Sequence, residues 1–344
     1  MGARTIRLDP LADPRWGALV DSAPDARVFH HPAWLRLLAD HYGYEVHALA
    51  VGDADGTLQA GLPICRVASR LTGTRLVALP FSDLCPPVAV AGAGAALHDL
   101  ARELLRQPAA EGLALEVRGE VPGAPAGSAG ARFLHHDLDL SAGAEAVLGA
   151  AHSRHRRGVR AAERAGVEVV RRTDRAGLDR FYRLHAETRR RQGVPVQSRS
   201  FIRRFERLFE QGLGHVLLAR HEDADAAAAV FVGHGRTLTY KYGASDAARL
   251  DVRPNNAIFA EAIRWGAERG YAVLDFGRTD LDNPGLAEFK RNWGATEREL
   301  SYVHLPPRAA RGGAGRGLAR RAAAVVIRRG PRWVGRAAGA VLYR

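Results

Sequence analysis

Thr239-Tyr240-Lys241-Tyr242-Gly243-Ala244-Ser245 and Glu288-Phe289-Lys290-Arg291-Asn292-Trp293-Gly294 hold the only two lysines of a 344-residue chain that carries 50 Lys and Arg residues. Everywhere else positive charge is written as arginine. A compact ammonium on a flexible stem differs from a planar guanidinium in geometry and in the range over which it titrates. Two lysines kept inside 237–294 therefore mark that block as one where arginine would not serve. Its local signals run strand, loop, helix, strand, short helix: a strand over 238–244, a helix over 256–269, a strand over 272–276 and a short helix over 284–292. Asn255 and Asn256 are expected to cap the longer helix, whose free backbone N–H groups suit an anion, with Arg253 beside them.

Working outward, the rest of the second half reads as a strand over 168–171, helices over 176–190 and 200–211, and strands over 215–220, 226–233 and near 300–303. The first half repeats the style. Helices open at Pro14 and Pro32, strands cover 46–51, 57–67 and 75–79 with an Asp53-Ala54-Asp55-Gly56 turn, and a helix near 97–106 precedes strands over 113–117 and 133–138. One helix over 141–166 links the halves. The pattern is α+β, with mostly antiparallel strands flanked by helices and a similar order in each half, as in a duplicated domain. The expected units are 1–150, 151–306 and a basic tail, 307–344.

Apolar residues make up 47% and charged residues 25% of the chain, a globular composition. Two cysteines, Cys65 and Cys85, are too few for a disulfide framework or a structural zinc site and suggest a reducing compartment. Neither a signal-peptide run nor a span of about 20 apolar residues occurs, so a soluble, cytoplasmic protein is expected. The net charge of +13 sits largely in the tail, which has ten arginines and no acid. Residues 1–306 then hold 40 basic and 37 acidic residues, so the high charge does not mark the body as a nucleic-acid binder. For the tail three roles stand: peripheral contact with an anionic membrane surface through Leu318, Ala322, Val325 and Trp333, which leads; contact with tRNA phosphates; or a solvating segment.

Tyr240-Lys241-Tyr242-Gly243-Ala244-Ser245, Arg253-Pro254-Asn255-Asn256, Asp275-Phe276-Gly277-Arg278-Thr279-Asp280 and the run from Gly285 to Ala295 together resemble the second domain of FemAB-like acyltransferases in the GNAT superfamily. The likeness extends to 154–166, the helix end at Glu187–Gly193 and, loosely, Pro80-Phe81-Ser82-Asp83. It implies twin GNAT-type domains, an acceptor cleft between them, and transfer of an acyl or aminoacyl group to an amine of a cell-envelope or polysaccharide precursor. The implied donor is an aminoacyl-tRNA or an acyl-CoA. Arg249-Leu250-Asp251-Val252-Arg253-Pro254-Asn255 lacks the glycines of an ordinary GNAT pyrophosphate loop, which weakens acetyl-CoA. An acetyl-CoA-dependent N-acetyltransferase of a sugar amine or small molecule remains the alternative. A non-catalytic binding module tethered by its tail is the second.

Acyl transfer to nitrogen needs a placed carbonyl, an unprotonated amine and charge to meet the developing oxyanion. The likeness puts Phe289 and Lys290 at the donor end and Arg191 at an acceptor phosphate. Asp83 and Asp280 are the candidate carboxylates for the amine proton, and Arg278 and Arg253 are candidate substrate contacts. Asp275 reads as the partner of an arginine. Strict alternation places Tyr240 and Tyr242 on one strand face, where they either line the acceptor cleft or pack, and turns Lys241 to the other. The basic helix Arg154, Arg156, Arg157, Arg160, Arg164 forms no clean stripe; it reads as a solvated link between halves, with a grip on a phosphate-rich donor as the other reading. No histidine pair has metal-ligand spacing, so no metal is expected, and His152 and His155 read as surface residues.

Overall fold

The computed structural model describes residues 4–69, 73–307 and 324–328, with single positions among 330–339. In the first half β1 (Arg4–Leu8), α1 (Pro14–Ser22) and α2 (Pro32–Tyr42) precede the meander β2 (Glu45–Gly52), β3 (Leu58–Ser69), β4 (Gly73–Ala78). The short β5 (Val88–Ala89), α3 (Gly94–Glu111), β6 (Leu115–Val117) and β7 (Ala129–Asp139) follow. The second half holds α4 (Ala144–Ala150), α5 (Ser153–Arg164), β8 (Glu168–Arg172), α6 (Arg175–Gln192), α7 (Arg199–Arg203) and α8 (Glu206–Phe209). It closes with β9 (Gly214–His221), β10 (Ala224–His234), β11 (Thr237–Ser245), α9 (Pro254–Glu268), β12 (Val273–Asp280), α10 (Pro284–Asn292) and β13 (Thr296–Leu305).

All these strands join one sheet in the order β1-β2-β3-β4-β6-β13-β7-β12-β11-β10-β9-β8, with β5 beside β3. The order is symmetric about its middle. Each half hands its last strand to the other: β7 pairs with β12, and β13 pairs with β6. Most neighbours are antiparallel, as expected, but each half also has one parallel pair of three residues. These are Leu76–Ala78 against Leu115–Val117, crossed by α3, and Thr237–Thr239 against Val273–Asp275, crossed by α9. β4 and β6 end with their last pair, whereas β11 and β12 run on unpaired with each other past Thr239 and Asp275.

One core under the sheet draws on both halves, with Trp16, Trp34, Phe181, Phe201 and Phe205 fully buried together. On the other side α3 covers the first half through Leu100 and Leu104, and α4, α5 and α9 cover the second around Phe259, Ile263 and Trp293. The expected helix over 141–166 is two, because Ala151 is extended (φ −57°, ψ 148°) and His152 caps α5 by accepting from the Arg154 amide. The helix expected over 200–211 is likewise α7 and α8. Of the tail, residues 324–328 are helical, Ile327 is buried, and Arg328 donates to the Gln192 carbonyl. The membrane and tRNA readings of 307–344 otherwise rest on residues outside those described. Among the described residues no helix is long and apolar enough to cross a membrane.

Candidate functional site

The parting of β11 and β12 gathers most of the residues singled out above. Register along β10 and β11 pairs Val230 with Tyr242 but Phe231 with Tyr240, so Lys241 is the extra residue of a β-bulge. That corrects the alternation argument. Tyr240 turns to the α9 side, its ring 4.9 Å from that of Phe259, and burial pushes its hydroxyl up to about 12. Tyr242 turns to the opposite core, its ring near His185 and Phe205. Two residues two apart on a strand share a face only where no bulge intervenes.

Lys241 is thereby aimed between the halves. Its Nζ donates to the Phe81 carbonyl and lies 5.2, 5.8 and 5.1 Å from the ring centres of Phe29, Trp34 and Tyr242. Lys290 is 2% exposed and donates to the carbonyls of Gly277 (2.9 Å) and Arg278 (3.2 Å). Burial lowers its ammonium to about 8, against the raising pull of Asp83 and Asp275. The two lysines thus approach one carboxylate from two elements.

That carboxylate is Asp83, in the turn after β4, with 23% of its side chain open to solvent. Burial raises its pKa, but Lys241, Arg278, Arg118 and Lys290 outweigh that and hold it below the usual carboxylate range. The backbone around it is tied down. Arg118 donates to the Ser82 carbonyl, and the Tyr302 hydroxyl donates to the Asp83 carbonyl at 2.9 Å while accepting from Arg278. Arg278 lies 4.3 Å over the Phe133 ring, its Nε 3.7 Å from Asp83. Gly277 has φ +69°, and a Cβ there would meet Asp83 Oδ2 at 2.6 Å, so glycine both permits the kink in β12 and admits the carboxylate. Arg118 and Tyr302 were not singled out from sequence; each sits in a strand or just beyond one, with no local signal. Asp275 has the expected partner: it is fully buried and accepts from Arg27 at 2.5 Å. His135 and Asp137 join it in a compact cluster, which Arg27 and Arg298 already neutralise.

Behind α10 lies a cavity of about 770 Å³. Arg154, Arg157 and Arg164 of α5 line it with Gly158 and Ala161, facing Arg253, Asn255, Asn256 and Phe289. Arg156 and Arg160 line a separate cavity with Glu145 and Glu163, so the five arginines form no single stripe, as expected, although three of them share this face. Capping differs from expectation too: Arg253 is the N-cap of α9 at φ +57°, with no side-chain cap, since Pro254 takes the first helical position. Asn256 is spent on His155, donating to its Nδ1, while His155 Nε2 donates to the Phe289 carbonyl. His155 is accordingly buried, not superficial. Arg191 is exposed and donates to the Ser245 carbonyl at 3.3 Å, at the end of β11, and Asp280 is exposed at the end of β12.

The site thus combines a mixed sheet whose β11 and β12 lose their pairing after three residues, an uncapped helix start over an arginine-lined cavity, and helices on both faces. A family model described as "Acetyltransferase (GNAT) domain" matches residues 150–291. The family match lies in the second half of the chain. Among solved structures, a crystal structure of FemX is similar at TM-score 0.67 and 18% identity, covering 87% of this chain and 97% of that one. The C-terminal domain of a putative lysylphosphatidylglycerol synthetase from Agrobacterium fabrum reaches 0.54 at 14% identity, covering 93% of this chain and 98% of that one. At such identities these two show likeness of fold. No curated protein matches by sequence.

Proposed function

We propose that the chain transfers an acyl or aminoacyl group from a phosphate-bearing donor to an amine of a cell-envelope or polysaccharide precursor. The observation that carries this reading is α10 itself. Phe289 lines the arginine cavity, and the next residue, Lys290, reaches into the β12 kink beside Asp83. Two adjacent residues of one helix thus face the arginine cavity and the surroundings of Asp83. Arg154, Arg157, Arg164 and Arg253 with the α9 start hold the phosphates. Asp83, ionised at neutral pH, pairs with the acceptor ammonium and takes one proton; the freed amine then attacks the donor carbonyl, the C–O or C–S bond to the donor breaks, and the second N–H proton passes to the leaving oxygen or sulfur. Lys290 and Arg278 supply positive charge toward the developing oxyanion, in a partly buried setting where it counts for more than in water. The description of the Agrobacterium neighbour as a putative lysylphosphatidylglycerol synthetase supports an envelope acceptor, and the donor is an aminoacyl-tRNA or an acyl-CoA.

The test is binding and turnover of the full chain with acetyl-CoA, charged tRNA and nucleotide-sugar precursors in parallel. Binding of charged tRNA that Arg157→Glu with Arg253→Glu abolishes is the expected result. Acetyl-CoA binding with no affinity for tRNA removes the aminoacyl version, and no binding of either removes the donor cavity.

A further inference from the structure

The bulge on β11 leaves a question the transfer chemistry does not answer: why an ammonium is aimed at a backbone carbonyl of the other half. The accepting residue is Phe81, which has φ +60°, a conformation that a bulky non-glycine residue rarely adopts. Its ring lies flat on Tyr42, 4.8 Å between centres and 11° between planes. Such a backbone persists only where surrounding contacts over-determine it. Asp83 stands two residues on, so the direction of the Phe81 peptide decides where that carboxylate emerges.

We propose that Lys241 is a positioning residue, clamping the Phe81 turn of the first half from the second half and so setting the place of the Asp83 carboxylate. The inference rests on the reading of Asp83 given above. Three elements then hold the turn: β11 through Lys241 on Phe81, the end of β6 through Arg118 on Ser82, and β13 through Tyr302 on Asp83. The bulge is what lets the first of these reach. The aromatic walls explain the lysine: Phe29, Trp34 and Tyr242 surround a compact cation with one acceptor ahead of it, and a five-donor planar fork has no counterpart there. Among the described residues Lys241 forms no close ion pair, so Asp83 answers its charge at longer range.

The experiment compares Lys241→Met, Asp83→Asn and the double variant Phe81→Gly with Lys241→Met in the full chain. Its readouts are crystal structures and the pH dependence of transfer from whichever of acetyl-CoA or charged tRNA supports turnover. Lys241→Met is expected to release Phe81 from positive φ, lower kcat at least tenfold with donor KM unchanged, and move the acidic limb of kcat/KM upward. Arg278 of β12, Arg118 beyond β6, Lys290 of α10 and Tyr302 of β13 still face Asp83, so the limb shifts without disappearing. Loss of the Lys241 charge alone would also move that limb, so the clamp is read from the Phe81 backbone and from the recovery of kcat in the double variant. Glycine holds φ +60° freely, so the double variant should regain part of the lost kcat and fold even if Lys241→Met alone does not. A wild-type limb and kcat with Phe81 unmoved, or no recovery in the double variant, overturns the clamp. Full turnover in Asp83→Asn overturns the Asp83 reading instead, which keeps the two failures apart.

Discussion

In the first half β4 and β6 run parallel for three residue pairs around α3; in the second, β11 and β12 do the same around α9. Both crossover helices start without a side-chain cap. Their surroundings differ. The exposed arginines of α3, Arg102 and Arg106, are paired with Asp99 and Glu103 on the same helix. Around α9, Arg157, Arg164 and Arg253 form no ion pair among the described residues and converge on a cavity. The first half instead contributes the carboxylate turn. Shared topology gave both halves a parallel pair around a crossover helix, and the side chains there differ.

The sharpest way to break this comparison is Asp83→Asn, expected to lower kcat/KM by about 10²–10⁴-fold with the fold retained, measured in the transfer assay. An unchanged rate would leave the first half without a chemical role. Next, Arg157→Glu with Arg253→Glu should abolish donor binding in titration calorimetry, whereas Arg102→Glu on α3 should leave it unaltered; equal losses would make the charge effect non-specific. Third, Gly277→Ala meets Asp83 as well as paying for positive φ, while Gly112→Ala, also at positive φ, meets nothing within 4 Å. Gly277→Ala should cost about tenfold or more in turnover by displacing the carboxylate, a loss that misplacement of a reacting group readily produces. Gly112→Ala should show only a lower Tm.

The smallest effect is a pH dependence with opposite signs in two assays. Lys290 has a folded-state pKa of about 8, below its usual 10.5. Between those values the unfolded chain holds a proton that the folded chain has lost, so stability should rise with pH across that window. Below about 8 the cost of the buried charge is present in full. Activity should move the other way, falling as Lys290 loses its proton above about 8. Lys290→Met should remove the rise in thermal-melt data; its persistence would assign the rise to another group.

Much of the architecture was legible because burial periodicity is local. Turn residues and alternation placed the strands of both meanders, and Pro14, Pro32 and Pro284 opened helices where expected. What failed shows where local rules stop. The two tyrosines parted because a bulge depends on the partner strand. His155 went inside because Asn256, a hundred residues on, and the Phe289 carbonyl receive it. Within the site, Asp83, Lys290 and Arg278 were legible through a resemblance of motif, whereas Arg118 and Tyr302 carried no signal at all.

By itself, then, the sequence determined the elements, the doubled α+β order and the block worth watching, since the pairing of two lysines with a bias toward arginine is a fact of composition. Only the tertiary structure decided that both lysines lie within electrostatic reach of one carboxylate. Asp83 and Lys290 lie about two hundred residues apart, and their meeting depends on the exchange of β7 and β13 between halves. Lys241, which alternation alone would have turned away, reaches its target because register slips by one residue. Charge and hydrogen bonding act across space, and which distant groups share a space is settled by strand order and packing, not by position along the chain.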